Sequence, residues 1–417
     1  MKKSFITSST PIYIGSIILA VYASDLHKLV LSIYSFFVGN IGFVSNYGRL
    51  LDTILVVLCA FNASLAVLLR PKIAILFNIP VLTQILIVLL LSLSLMKTFD
   101  PISLENYSRF IAGNILIFFS AIVICKTPVE IQRVWIIWII TTVCLSIISI
   151  IFFYYGINWS TGRSEIIPIG NIRTGYFGAV SVCYIFTNIT GRLNLKQLLY
   201  LATMMLLILG IVTCGSKASL LLTMFGIGLI ITIPILTKFK VPKKIVYVLP
   251  LILLLCVFAG YISNSQDAGF IKDTLNVQSY FDAGEVRLES IKSYMMLGAS
   301  SLIFGNGINA AYSLDIRTHS VFTAFFVQIG ILGIIAYFVF LINLLFKGVQ
   351  LIVRQQQMSK KINQLVISTF IAFILLVIKA EITSDIPGNR ELWLFSGMIL
   401  AIFYSDHYYR EISKDKY

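Results

Sequence analysis

Long apolar runs, separated by short polar or basic breaks, dominate the chain. Val134–Tyr155, Ala218–Leu236 and Val321–Phe346 reach or exceed the ~20 consecutive apolar residues that a helix needs to cross a bilayer. The same pattern predicts spans near 15–45, 50–69, 73–95, 108–125, 134–155, 172–190, 197–214, 218–236, 245–263, 321–346, 362–379 and 391–405. The first is one span or a tight pair broken at Asp25–Lys28, so the expectation is about twelve or thirteen membrane helices. That first stretch shows no small-residue cleavage site ahead of a soluble domain, and it reads as a span.

The predicted fold is an all-α polytopic membrane protein in three parts. Residues 1–263 hold about ten transmembrane helices, 264–320 form one large loop, and 321–417 hold the last helices and a short tail. Within the loop, 287–305 sets Leu288, Ile291, Met295 and Leu302 against Arg287, Glu289, Lys292 and Ser293, the pattern of an amphipathic helix lying on a membrane surface. Gly305-Asn306-Gly307 is expected to break that helix, and the chain returns to the membrane through Arg317-Thr318-His319-Ser320.

Composition agrees with the pattern: 58% of the 417 residues are hydrophobic, 12% are charged, and the mean hydropathy is +0.92. The net charge of +14 mainly reports topology. Lys238, Lys240, Lys243 and Lys244 fill one loop, and Lys347, Arg354, Lys360 and Lys361 another, which places both in the cytoplasm. Arg70, Lys126, Arg133, Arg192 and the basic tail follow by parity, with attraction to anionic lipid as a secondary effect. Basic residues confined to short loops build no nucleic-acid surface. The opposite, extracytoplasmic face then holds 96–107, 156–173, the turn 215–217, the loop 264–320 and the turn 380–390.

Cys59, Cys125, Cys144, Cys183, Cys214 and Cys256 all fall in or at the ends of spans and read as small apolar fillers. His27, His319 and His407 are scattered, and neither a DxD pair nor HExxH occurs, so no metal site and no cofactor is expected. Glu381, Asp385 and Arg390 are expected to form a local ion-paired turn.

Three segments carry a resemblance: residues 211–230, residues 287–309, and THSVFTAFFVQIGILGIIAYF (318–338). In the last, His319-Ser320 is followed after nine residues by Gly330-x-x-Gly333. Arg287 precedes Gly298 by ten residues in the second. In this order, with a large loop before the last, they resemble the O-antigen ligase and O-antigen polymerase superfamily of the bacterial envelope. The resemblance covers roughly 170–340. Lys217 stands where many members carry Arg, and Ser320 where many carry Asn; lysine meets a phosphate as a point charge, without the two-pronged fork of arginine.

The resemblance implies a GT-C-like fold in the bacterial inner membrane with its active site on the periplasmic face. It also implies a metal-independent glycosyltransferase acting on a polyprenyl-diphosphate-linked glycan, a glycan or lipid-linked acceptor, and a chain-length regulator as partner. Such chemistry needs cations to hold the departing diphosphate and a base for the acceptor hydroxyl. Arg287, Lys217, Arg317, Arg163 and Arg173 are candidates for the first role and His319 for the second. Each has a plainer reading: a helix-capping histidine, a solvated helix face at Arg287, an ordinary turn charge at Lys217, and headgroup anchors at Arg163, Arg173 and Arg317. Three functions follow as expectations: a repeat-unit polymerase, which the Arg287 segment favours, a ligase that moves the finished glycan onto lipid A-core, and a transporter of lipid-linked sugar. Few charges inside the spans speak against the transporter.

Overall fold

The computed structural model describes residues 10–38, 42–69, 78–154, 171–189, 194–214, 216–236, 277–310, 320–354, 360–383 and 389–405. These are helical, with no strand among the described residues. In chain order the helices are α1 (Thr10–Ala23), α2 (Leu26–Val38), α3 (Gly42–Leu69), α4 (Ile79–Lys97), α5 (Pro101–Ile124), α6 (Pro128–Tyr154) and α7 (Asn171–Asn188). They continue as α8 (Leu195–Thr213), α9 (Lys217–Leu236), α10 (Val277–Ala299), α11 (Val321–Arg354), α12 (Lys360–Thr383) and α13 (Arg390–Tyr404).

Seven of the described helices are long and apolar enough to cross a membrane. They correspond to the predicted spans at 50–69, 73–95, 108–125, 134–155, 197–214, 321–346 and 362–379. The predicted span 245–263 lies outside the described residues. Helix starts follow local sequence: Asn78 caps α4 by accepting from the Val81 amide with proline at the first turn, and Thr127 and Glu130 form a reciprocal capping box at α6.

Helices α7 and α13 are the interior of the bundle. α7 packs against α6, α8, α9 and α12, and α13 against α5, α11 and α12. Every residue of α13 from Glu391 to Ile402 is buried. Helices wrapped by protein need not be as greasy as those facing lipid, which is why both can carry charge at their first turn. Between membrane helices close packing replaces the hydrophobic driving force, and small residues permit it. A Cβ on Gly210 would lie 2.4 Å from the Ser146 side chain, and one on Gly397 2.5 Å from the Phe118 carbonyl oxygen. Around them, Trp393 stacks on Phe340 at 5.2 Å and Trp135 on Tyr184 at 4.3 Å.

The first apolar stretch is the pair broken at Asp25–Lys28: α1 ends at Ala23, Asp25 adopts a left-handed backbone (φ 54°), and α2 starts as a separate helix. Two other expectations are corrected. The helix expected over 287–305 runs over Val277–Ala299 and ends before the Gly-Asn-Gly turn, whose Gly305 and Gly307 have φ of 65° and 106°.

The second correction matters most. The span from Val321 is not continuous, because Gly330 has φ 72° and ψ −163°, a conformation open to glycine alone. The helix folds back there: Phe322 packs on Phe338 and Phe325 on Tyr337, with ring centroids 5.2 and 5.1 Å apart. One arm, 321–329, therefore lies alongside the start of the other. The turn 300–310 satisfies the opened backbone. Asn306 N donates to Val327 O at 2.6 Å, Ile331 N to Leu302 O at 2.9 Å, and the Ser94 hydroxyl to Gln328 O at 2.7 Å. Lys97 and Thr98 at the end of α4 fasten the same turn through Gly305 O and Ile308 O.

Candidate functional site

Among the described residues, Lys126, Arg133, Lys347 and Arg354, all used for orientation, pack against chain ends and aromatic rings at one end of the bundle. Arg133 stacks on Tyr13 at the start of α1 (3.5 Å), Lys347 bonds Tyr404 Oη (2.8 Å), and Ser405 bonds the carbonyl of Lys126 (2.6 Å). The opposite end holds the polar chemistry.

There a buried ion cluster joins the turn after α1 to the starts of α7 and α13 and the end of α12. Asp25, 1% exposed at its side chain, takes Arg390 and Lys28 on Oδ1 at 3.0 and 3.1 Å and Arg173 on Oδ2. Asp52 on α3 accepts from His27 Nε2 at 3.0 Å and Arg390 at 3.2 Å on one oxygen and from Lys28 at 2.9 Å on the other. Glu391 takes Lys379 at 2.6 Å and Arg173 at 3.0 Å. Among the described residues, four cations (Lys28, Arg173, Lys379 and Arg390) thus face three carboxylates. Burial alone would raise the Asp25 carboxyl, but Arg173, Lys28 and Arg390 outweigh it and hold the group well below the usual carboxylate range. Gly113, within a π-helical turn at Ile111–Ile115, makes room for Arg390: a Cβ there would meet the guanidinium Nε at 3.2 Å.

Asp25, His27 and Asp52 bring their ligand atoms within 4.8 Å of one another, the arrangement a metal ion would need. Sequence spacing gave no hint of it. The geometry does not favour an ion, because Lys28 and Arg390 each already contact both carboxylates, and a divalent cation would have to displace them.

On the far side of α12 a second polar corner forms around Glu381. Ser320 caps the arm 321–329: its hydroxyl accepts from Thr323 N at 3.3 Å and donates to Glu381 Oε2 at 2.7 Å. The same Oε2 accepts from Phe322 N at 3.1 Å, and Oε1 accepts from Tyr337 Oη at 3.0 Å. Tyr337 lies seven residues beyond Gly330, ~10 Å along the helix. Ser320 therefore sits well inside the bundle relative to the Gly330 corner.

Of the sequence-predicted site residues, Arg173 is the one whose side chain is described. It belongs to the ion cluster, about a fifth exposed, rather than standing as an isolated headgroup anchor. Lys217 begins α9 and Arg287 lies within α10, with their side chains outside the described residues; Arg163, Arg317 and His319 fall outside them entirely. The expected local turn of Glu381, Asp385 and Arg390 is corrected, since Arg390 pairs with Asp25 and Asp52 and Glu381 bonds to α11, while Asp385 lies outside the described residues. Sequence reasoning missed Asp25, Asp52, Lys379 and Glu391 as a group. Their signal was available, each being an ionisable residue at the edge of an apolar run. Compared with known proteins, the chain matches no family model and no curated protein.

Proposed function

We propose that the chain is a metal-independent glycosyltransferase that joins polyprenyl-diphosphate-linked oligosaccharide repeat units into a surface polysaccharide at the outer face of the bacterial inner membrane. The acceptor hydroxyl attacks the anomeric carbon of the donor glycan, a new glycosidic bond forms, and the bond from that carbon to phosphate breaks. The polyprenyl diphosphate leaves with the electron pair, and the hydroxyl proton passes to His319. Arg287, Lys217, Arg317 and Arg163 neutralise the departing diphosphate, and Arg173, already paired with Asp25 and Glu391, contributes only through the field of its cluster. A chain-length regulator would act on such a polymerase as its partner.

One observation carries this reading. Ser320, bonded in the chain to His319, is turned into the same end of an apolar bundle as a cation-rich cluster that includes Arg173. Transfer from a lipid diphosphate requires a base and cations at one membrane face, and the shared end of Ser320 and Arg173 supports that reading.

The break in α11 favours a second reading, because interrupted helices in transporters use their free carbonyls to hold cargo. Here the carbonyls of Val327 and Gln328 are already taken by Asn306 and Ser94, which counts against transport. The deciding experiment supplies purified protein with a polyprenyl-diphosphate-linked oligosaccharide. A ladder of lengthened lipid-linked products is expected; transfer only onto added lipid A-core would make the protein a ligase, and movement of donor across a vesicle without elongation would make it a transporter.

A further inference from the structure

Glu381 sits two residues beyond Lys379 on α12, yet it belongs to a different set of contacts. Lys379 faces α13 through Asn389 and Glu391. Glu381 faces α11 and meets both of its arms at once: the Ser320 hydroxyl and Phe322 amide from the first, and the Tyr337 hydroxyl from the second. A carboxylate is suited to this, since both oxygens accept and neither donates. The first arm also presents the positive end of its helix to it. Ser320 suits its position too, because a hydroxyl can accept from Thr323 N while donating to Glu381, as an alanine cannot.

We infer that Glu381 is a positioning residue: its carboxylate clamps the entry of the arm 321–329 and so fixes the backbone at Ser320, the residue next in the chain to the proposed base. The inference rests on the transfer reaction proposed above. Glutamine is a weaker clamp: with its oxygen toward Ser320 and Phe322 its NH₂ can only donate to the Tyr337 hydroxyl, reversing that bond, and the charge facing the positive end of the first arm is lost. The loss should fall on turnover, since displacement of a reacting group by ~1 Å can reduce the rate by as much as about 100-fold while substrate binding survives.

The test measures elongation kinetics and amide hydrogen exchange on the same full-length preparations. Glu381→Gln should lower kcat roughly ten- to a hundred-fold with the donor KM changed less than about twofold, and should speed exchange in the peptide spanning 320–329. Ser320→Ala should do the same, Ser320→Thr should restore most of the rate, and the double variant Glu381→Gln/Ser320→Ala should be no slower than either single one. Tyr337→Phe, which removes one bond and keeps the ring, guards against a Glu381 variant that does not fold; it should give the same direction of change, smaller in size. Unchanged exchange in 320–329, additive losses in the double variant, or a loss confined to KM would each overturn the positioning role. Faster exchange in Glu381→Gln together with a wild type that elongates nothing would overturn the proposed reaction and the catalytic part of this inference, leaving the clamp itself.

Discussion

Arg390 closes on Asp25 across 365 residues of sequence, its Nη1 3.0 Å from Oδ1. Arg173 holds the other oxygen of the same carboxylate. A single short turn after α1 thus ties together the first turns of the two innermost helices, and it explains how α7 and α13 tolerate charge in an apolar bundle.

Removing that carboxylate leaves two largely buried guanidiniums without their shared counter-charge. Asp25→Asn should destabilise the protein by about 3–5 kcal/mol, read as a fall in melting temperature in detergent. The pH dependence has a fixed sign. Because the folded Asp25 pKa is depressed, its stabilisation is complete above the unfolded value, ~3.9, and is lost as the pH falls below it. Wild-type melting temperature should therefore show an acid limb below roughly pH 4 that is shallower in Asp25→Asn. An equally steep limb in both proteins would mean that Asp25 is not held as described.

Gly330 predicts a sharper structural effect. A Cβ there would lie 2.3 Å from Ile303 O, in a backbone conformation that other residues avoid. Gly330→Ala should cost at least about 1–3 kcal/mol, whereas Gly228→Ala, with nothing within 4 Å, should be neutral or slightly stabilising. Melting temperatures of the two variants check this, and equal values would contradict the folded-back α11.

Much of the bundle was legible in the sequence because crossing a membrane leaves one strong signal, the length of an apolar run. Spans such as Ile79–Lys97 and Ile362–Ile382 follow from it directly. The bend in α11 did not, since a run of apolar residues reads the same whether straight or folded back; only Gly330 hinted at it. The ion cluster was missed for a different reason. Asp25, Asp52, Arg173 and Glu391 each look like a local feature at a span edge, and their pairing depends on tertiary packing that no spacing encodes. Glu381 was likewise read with its sequence neighbours, although its partners lie 44 to 61 residues away.

Membrane orientation has its own check. A reporter fused after Lys240 or Lys360 should read cytoplasmic, and one fused near Asp282 extracytoplasmic. Finding Asp282 in the cytoplasm would reverse the orientation and remove the proposed site from the outer face.

Arg173 and Arg287 should separate in kind. Arg173→Ala breaks contacts to Asp25 and Glu391 and should lower folded yield and melting temperature. Arg287→Ala should leave both unchanged while abolishing glycan extension, and Arg287→Lys should restore only part of it, because a point charge cannot make two parallel bonds to phosphate. Full activity in Arg287→Ala would reduce that residue to a surface charge.

His319→Ala, assayed with purified protein and lipid-linked donor, tests the central claim most directly. A base for the acceptor hydroxyl predicts a loss of turnover on the order of 10²–10⁴-fold with donor binding retained. A histidine that merely caps the following helix contributes about 0.3–1 kcal/mol, which would lower the yield of folded protein and leave the surviving molecules fully active. Turnover collapsing while donor still binds is the predicted result; normal turnover by His319→Ala would contradict the mechanism.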